Sequence, residues 1–236
     1  VYGMRLPNPA ERLDEAIGWG RRLLAELLER YGGRPSFAGW YWTYEYPPST
    51  PAGRDSLRRI VPALRELSDA PLLIAPNCDR GMSATLLQDI DVDIIAYQDT
   101  VGLGVEPDIF GRYARADRFR SLARLPFVYE ELSYAHDAWE SGNPWNQYVR
   151  PRGRTRLWND LEIWEFDHRG VLQPAEFSRI TAQLDLTAPF VEKQIIYQYP
   201  GLMHNPRHPV PVGGERAATL YENYAIYREA MLNGGR

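Results

Sequence analysis

The sequence predicts an α/β fold of the (β/α)8 barrel type. Segments with strand character alternate with segments of helical periodicity, which implies parallel strands joined by right-handed crossovers. Four of the six predicted strands end in an acid or an amide, at Glu45, Asn77, Gln98–Asp99 and Glu162. Barrels collect polar groups at the carboxyl end of every strand, whereas an open sheet does so only near its switch point. The spread over four strands therefore favours the barrel.

Length and composition fit one soluble domain that covers residues 1–236. The chain is 44% hydrophobic with a net charge of -4, and this charge argues against a nucleic-acid partner. No apolar run reaches the ~18 residues that a membrane span needs. The single cysteine, Cys78, excludes an intrachain disulfide. Seven tryptophans within 12% aromatic residues fit either a large core or platforms for sugar rings.

The first strand–helix unit is "VYGMRL" followed by a helix. Asn8 and Pro9 are suitable for the start of this helix, its apolar residues recur on one face, and Gly32–Gly33 end it. The aromatic segment "SFAGWYWTYE" is the second strand, and the double proline Pro47–Pro48 stops it.

The middle of the chain continues the alternation. A helix with an apolar face from Leu57 to Leu67 comes first, and a short helix, "MSATLLQDI", later separates two strands. These strands, "PLLIAPN" and "VDIIAYQD", lack polar alternation, as expected of strands that are buried on both faces. A helical region then runs from about Ile109 to Trp139.

The last third predicts two strands and two helices after a loop at 141–154. In order they are "TRLWNDLEIWEF", "AEFSRITAQLDLTAPF", "KQIIYQYPG" and "GERAATLYENYAIYREAMLN". The alternative is that "FVYEELSY", after Pro126, supplies a further strand and closes the barrel by another route.

Strand parity predicts that Glu162 faces the barrel axis. Asp160, Glu162 and Trp164 share one face of their strand, whereas Leu161 and Ile163 share the other and suit the helix side. A pairing of Glu162 with an arginine of a neighbouring strand is the structural alternative.

Glu45 follows the same logic at the end of "GWYWTYE". One face of this strand carries Gly39, Tyr41, Thr43 and Glu45. The carboxylate is therefore the last side chain of a row that faces the barrel interior. Partial desolvation among aromatic neighbours would raise its pKa and suit a general acid. The alternative is an exposed acid at the rim.

Two inward carboxyl groups on different strands are what glycoside hydrolysis requires. Further polar groups at the strand ends suit hydroxyl binding or support of the acids, and rim aromatics suit sugar rings. The predicted substrate-binding residues are Trp42, Asn77, Gln98, Asp99, Trp158, Asp160, Trp164 and Tyr199.

No cofactor or metal is predicted. The four histidines lack the spacing of a metal site, and the glycines after "YQDT" lack the third glycine and the lysine of a phosphate loop. No G-x-S-x-G elbow is present either.

Several motifs, taken in order, resemble a glycoside-hydrolase-like TIM-barrel family of largely unknown function. They are "GWYWTYE", "DIIAYQDTVG", "LWNDLEIWEF", "RITAQL" and "IIYQYPGLM", and the match runs from Val1 to about Met203. Thr100 departs from the pattern, because the family usually has glycine there.

The resemblance implies that this chain begins at the third barrel strand, so two βα units are expected before Val1. Glu45 would then end the fourth strand as the acid/base, and Glu162 would lie on the seventh as the nucleophile of a retaining glycosidase. Without those units, the first and last strands would be open edges, and the chain is expected to be a poorly soluble fragment. The resemblance also favours a secreted or periplasmic protein.

Two rival functions stay open at this point. A carbohydrate-binding barrel without turnover would have its carboxylates too far apart, or one of them in a salt bridge. A metal- or phosphate-dependent lyase or esterase would hold a divalent ion between Asp99 and Glu162. The sequence indicates neither the sugar and its linkage nor the oligomeric state.

Overall fold

A computed structural model describes residues 12–43, 45, 50–76, 90–103, 124–140, 155–167, 169–210 and 212–234. The fold is α/β with a parallel central sheet, and the chain divides into two compact units. The first unit contains Val1–Tyr97 and Tyr134–Leu157, and the second contains Gln98–Ser133 and Trp158–Arg236.

The described strands are β1 (Trp40–Trp42), β2 (Leu72–Ile74), β3 (Ile94–Gln98), β4 (Arg156–Glu162), β5 (Trp164–Phe166), β6 (Leu172–Pro174) and β7 (Lys193–Tyr197). The described helices are α1 (Leu13–Tyr31), α2 (Pro51–Arg65), α3 (Leu125–Glu140), α4 (Phe177–Thr187) and α5 (Gly214–Asn233), with a 3-10 turn at Ala188–Phe190.

In the first unit, β1, β2 and β3 pair side by side in parallel. The register aligns Trp40 with Leu72 and Leu73 with Ile94. Helix α2 begins at an N-cap, Thr50, whose hydroxyl accepts the N–H of Gly53 at 3.1 Å. One face of this helix is buried, as its 3.6-residue periodicity predicts, and it consists of Leu57, Ile60, Val61 and Leu64.

In the second unit, β4 and β7 are parallel, with Glu162 aligned to Tyr197. Beyond Glu162, the chain leaves this pairing and forms an antiparallel hairpin, β5–β6. The strand ends, α4, α5 and the 202–203 segment surround one apolar cluster, made of Leu161, Ile163, Trp164, Ala175, Ile180, Leu184, Leu202, Met203 and Leu220.

The predicted element types agree with the structure wherever it describes them, but their bounds differ. The strand predicted at 155–166 breaks at Ile163, and the β5–β6 hairpin was not predicted. The alternative strand "FVYEELSY" is wrong, because these residues lie in helix α3. The predicted strand at 1–6 lies outside the described residues, as do Asn8, Pro9 and all of the predicted helix at 82–90 except Ile90.

Helix length and polarity also bear on the membrane question. Within the residues that the structure describes, none of the helices is both long and apolar enough to cross a membrane.

We expect Leu161→Ala to destabilise the second unit strongly. Leu161 is 0% exposed within the apolar cluster, so the truncation leaves a cavity and should lower the free energy of unfolding by about 2–5 kcal/mol. The matched control is Leu232→Ala, because Leu232 is 68% exposed on α5, and it should change stability by no more than about 0.5 kcal/mol. Chemical denaturation of both variants measures the difference, and equal losses would contradict the assigned core.

Candidate functional site

Two acids meet at the carboxyl ends of strands in the second unit. Asp99 directly follows β3, and Glu162 is the last residue of β4. The N–H of Asp99 donates to the carbonyl of Asp160 at 3.1 Å, which fixes this strand end beside β4. The structure therefore brings together three of the predicted site residues, Asp99, Asp160 and Glu162.

Asp99 is enclosed by hydrogen-bond donors. Its Oδ1 accepts the N–H of Val101 and the N–H of Glu162, each at 3.2 Å, and its Oδ2 accepts the Gln183 amide at 2.6 Å. The residue is 0% exposed. Of the two roles expected for Asp99, support of the neighbouring acid therefore fits this geometry, whereas direct binding of a substrate hydroxyl does not.

The Glu162 carboxyl group turns back onto the loop that follows Asp99. Its Oε2 accepts the N–H of Leu103 at 3.0 Å. Gly102 makes this approach possible, because a Cβ there would lie 2.5 Å from the Trp164 carbonyl and 2.9 Å from Glu162 Oε2. Glu162 itself is 8% exposed.

The loop backbone also explains the unusual position of Thr100. Its φ is 49°, in the left-handed region that glycine adopts without strain and a β-branched residue rarely does. The hydroxyl of Thr100 accepts a hydrogen bond from Arg124, a partner that glycine would not provide. The loop therefore keeps the shape that glycine favours although the residue is threonine.

Helix α4 supplies two more buried polar residues. Arg179 and Gln183 lie four residues apart, on one face of the helix. The Arg179 guanidinium donates to the carbonyls of Glu162 at 3.0 Å and of Trp164 at 2.7 Å. Arg179 thereby satisfies main-chain acceptors where β4 ends and β5 begins. The structural alternative, a pairing of Glu162 with an arginine of a neighbouring strand, is not seen among the described residues.

Burial dominates the electrostatics of this cluster. Desolvation raises the pKa of Glu162 to about 8, and the nearby charge of Asp99 acts in the same direction. Burial also raises the pKa of Asp99, although its hydrogen bonds, led by the one from Gln183, oppose the shift. Burial lowers the pKa of Arg179, and the surrounding carboxylates oppose this change. Burial and the charge of Asp99 therefore both favour the protonated form of Glu162.

Two predicted site residues, Glu45 and Trp42, lie in the described part of the first unit. Glu45 follows β1 and is exposed, so the partial desolvation expected for it is wrong. Trp42 is the last residue of β1, and its ring contacts α1 so closely that a Cβ on Gly20 would lie 2.8 Å from it. Trp42 therefore packs on the helix side, which does not fit the sugar platform expected of it.

Trp158 and Trp164 also do not lie at the strand-end positions that an aromatic platform for sugar rings requires. Trp158 lies near the start of β4, and Lys193 sits over its ring at 4.9 Å from the centroid. Trp164 follows the break in the strand and is 7% exposed within the apolar cluster. The break invalidates the assumption that Trp164 continues the face of Glu162, since regular alternation ends at Ile163.

The remaining predicted residues are less constrained. Tyr199, after β7, is 41% exposed and lies near Tyr221, with 6.4 Å between ring centroids. This position fits an aromatic platform. Gln98 is partly buried at the end of β3, and Asn77 lies outside the described residues.

Sequence reasoning missed Tyr197. It is the register partner of Glu162 and is 55% exposed. Register partners on parallel strands point to the same side, as the contact of Lys193 with Trp158 four residues earlier demonstrates. The sequence did hold one signal for this position. Tyr197 and Lys193 are four residues apart on the last strand, so their side chains lie on the same face.

Arg179 and Gln183 both belong to the motif "RITAQL". Their spacing of four residues on a helix predicted a common face, but polar residues facing a sheet have no obvious partner in the sequence. Among the described residues, no group of three or more His, Cys, Asp or Glu side chains is arranged to hold a metal ion.

The pKa of Glu162 predicts how stability depends on pH. In the unfolded chain its pKa returns to 4.5, so between about pH 4.5 and about pH 8 the folded state binds more protons. This contribution is complete below the lower value and is lost as pH rises through the upper one. The free energy of unfolding should therefore fall over this range, by at most about 1.4 kcal/mol per pH unit for this one proton.

Denaturation of Glu162→Gln between about pH 5 and about pH 9 checks this dependence. The variant keeps an acceptor for the Leu103 N–H but cannot titrate, so the slope due to Glu162 should disappear. Glu215→Gln, an exposed residue on α5, is the control and should keep the wild-type slope. Identical slopes in all three proteins would contradict the prediction.

Comparison with known proteins gives a family and a fold. No curated protein matches the chain. A solved structure described as a "putative alpha-L-fucosidase" from Bacteroides thetaiotaomicron VPI-5482 is similar, with a TM-score of 0.58 and 18% sequence identity. The similarity covers 90% of this chain but 63% of the other, so this chain spans less than two thirds of that protein. A likeness at this identity shows the fold alone. Residues 4–209 match the family described as Domain of unknown function (DUF4434), and the chain belongs to that family.

Proposed function

We propose that this chain carries the active site of a glycoside hydrolase, with Glu162 as one of two essential carboxyl groups and a (β/α)8 barrel as its frame. The observation that carries the proposal is the environment of Glu162, an enclosed acid at the carboxyl end of a parallel strand. Exposed Tyr197 stands beside it. Glycoside hydrolysis needs such an acid at the leaving oxygen, and an aromatic side chain nearby suits the apolar face of a sugar.

The proposed substrate class is a carbohydrate. The similar solved structure described as a fucosidase makes α-L-fucosides the first compounds to test. That similarity supports the frame more than the substrate, since one fold serves many substrates. Other glycosides and polysaccharides therefore belong in the same screen.

The environment of Glu162 favours the role of proton donor over that of nucleophile. A donor must hold its proton near neutral pH, and burial raises the pKa of Glu162 to about 8. A nucleophile must be ionised instead. We therefore assign proton donation to Glu162, in place of the nucleophile role that the family resemblance implied. Glu45 stays the proposed second carboxyl group.

A carbohydrate-binding protein without turnover is the second candidate. One observation favours it: Glu162 Oε2 already accepts the Leu103 N–H, and only 8% of the residue is exposed. A carboxyl group held in this way could stabilise the loop alone. In that case the wild-type protein would bind sugars that it never cleaves, and Glu162→Gln would leave the binding unchanged.

We expect Glu162→Gln to lower turnover by about 10²–10⁴-fold on substrates with a poor leaving group, because protonation of that group is lost. Nitrophenolate leaves without needing a proton, so the loss of turnover on nitrophenyl glycosides should be much smaller. Steady-state kinetics on both substrate types, with Glu215→Gln as the control, separates the roles. Equal losses on both types would identify a nucleophile instead, and activity within about tenfold of wild type on both would remove Glu162 from the reaction.

We expect Tyr197→Ala to raise KM with little change in kcat. Loss of a ring contact of about 0.5–1.5 kcal/mol corresponds to roughly 2–13-fold. The control is Tyr129→Ala, since Tyr129 is similarly exposed but packs on Phe190, which precedes the opposite end of β7. Initial-rate measurements check the pair, and an equal rise of KM in both variants would exclude a specific contact at Tyr197.

A further inference from the structure

Two polar residues of α4 are buried more deeply than a packing role explains. Gln183 is 0% exposed and Arg179 is 3% exposed, on a helix that otherwise contributes Ile180 and Leu184 to an apolar cluster. Burial of a polar side chain is costly unless its hydrogen bonds are satisfied. The partners of Gln183 therefore indicate what this residue does.

The strongest contact of Gln183 is with Asp99. Its Nε2 donates to Asp99 Oδ2 at 2.6 Å, whereas its approach to the Glu162 carbonyl is long, at 3.5 Å. The other carboxylate oxygen of Asp99 accepts the main-chain N–H groups of Val101 and Glu162. Donors to both oxygens favour the ionised form of a carboxyl group. Gln183 therefore stabilises Asp99 as the anion.

An ionised Asp99 acts directly on Glu162. It holds the main-chain N–H of Glu162, and its negative charge disfavours a second negative charge on the Glu162 side chain. The Glu162 carboxyl group is at the same time fixed by the N–H of Leu103. The Gln183 amide on α4 thus acts, through Asp99, on both the orientation and the charge of Glu162.

We propose that Gln183 is a positioning residue, which fixes Asp99 as the anion of the acid pair and thereby keeps the shared proton on Glu162. This inference rests on the proposed function only where it makes Glu162 the proton donor. The balance of protons in the pair does not require turnover. Burial raises the pKa of both acids, and the Gln183 hydrogen bond is the largest effect that opposes the rise at Asp99.

The charged and titratable groups around the pair come from five elements. They are Asp99 after β3, Asp160 and Glu162 on β4, Arg179 on α4 and Tyr197 on β7, with Glu165 of β5 acting on Arg179. Arg179 is the buried cation among them in the described part of the chain, and it favours ionisation of both acids. It therefore does not by itself select which acid keeps the proton, and Gln183 does.

The experiment is a titration of the side-chain carboxyl signals by NMR, with ¹³C-labelled glutamate and aspartate in the full chain. Glu162→Gln and Asp99→Asn assign the two signals by their loss. The test variant is Gln183→Met, which keeps the length of the side chain but removes the donor. The control is Gln194→Met, because Gln194 is another α4-facing amide, which donates to Leu184 and Thr187 and not to the acid pair.

In Gln183→Met, we expect the midpoint of Glu162 to fall by about one pH unit or more and that of Asp99 to rise. In Gln194→Met, both midpoints should stay at their wild-type values. A folded Gln183→Met protein with an unchanged Glu162 midpoint would overturn the proposal. If Gln183→Met does not fold, Asp99→Asn replaces it. The Glu162 midpoint must then fall by a similar amount, and an unchanged midpoint overturns the proposal in the same way.

The titration tests the role of Gln183 and the kinetics test the proposed function, so either claim can be contradicted without the other. If no glycoside is cleaved by the wild-type protein, the proposed function fails, while the titration still decides the role of Gln183. If turnover is found, the alkaline limb of the pH profile of kcat/KM should move to lower pH in Gln183→Met together with the NMR midpoint. A profile that does not move while the midpoint does would separate Glu162 from the proton-donating step.

Discussion

The burial of Asp99 is the constraint on which the acid cluster of the second unit depends. A carboxylate with no solvent exposure must have its oxygens satisfied by the protein, and here three donors do so. Two of them are main-chain N–H groups, so the loop after β3 and the end of β4 are held in one arrangement. The bend at Thr100 and the close approach at Gly102 follow from that arrangement.

The same burial creates an imbalance of charge. Asp99 and Glu162 are two acids next to one buried arginine, Arg179, which donates to carbonyl groups and not to either carboxylate. Two ionised acids would leave uncompensated negative charge in a medium of low polarity. A proton retained on Glu162 removes that charge. The cluster is therefore expected to contribute little to stability for its size.

Much of this arrangement could be read from the sequence, because it depends on local periodicity. The parity of "LWNDLE" separated Leu161, which packs in the core, from Glu162, and the strand–helix alternation predicted parallel pairing. The error at Trp164 came from extending this parity through Ile163, where the chain leaves one sheet for a hairpin. Nothing in the local pattern marks that change.

Contacts between distant segments could not be predicted in the same way. The partnership of Gln183 with Asp99 joins residues 84 positions apart, and the position of Tyr197 beside Glu162 depends on the register between two strands. A periodic pattern assigns a residue to a face but not to a neighbour. The aromatic residues were overinterpreted for this reason, since Trp42 and Trp164 face inward to helices and core.

The position of Lys193 offers a practical handle on the molecule. It is the one lysine in the sequence, and it is exposed at the start of β7 above the ring of Trp158. Four residues of strand, about 13 Å, separate it from Tyr197. An amine-reactive dye or a surface tether would therefore attach, besides the α-amino group, to a single side chain at the far end of the strand from Glu162. Its effect on tryptophan fluorescence would report the attachment.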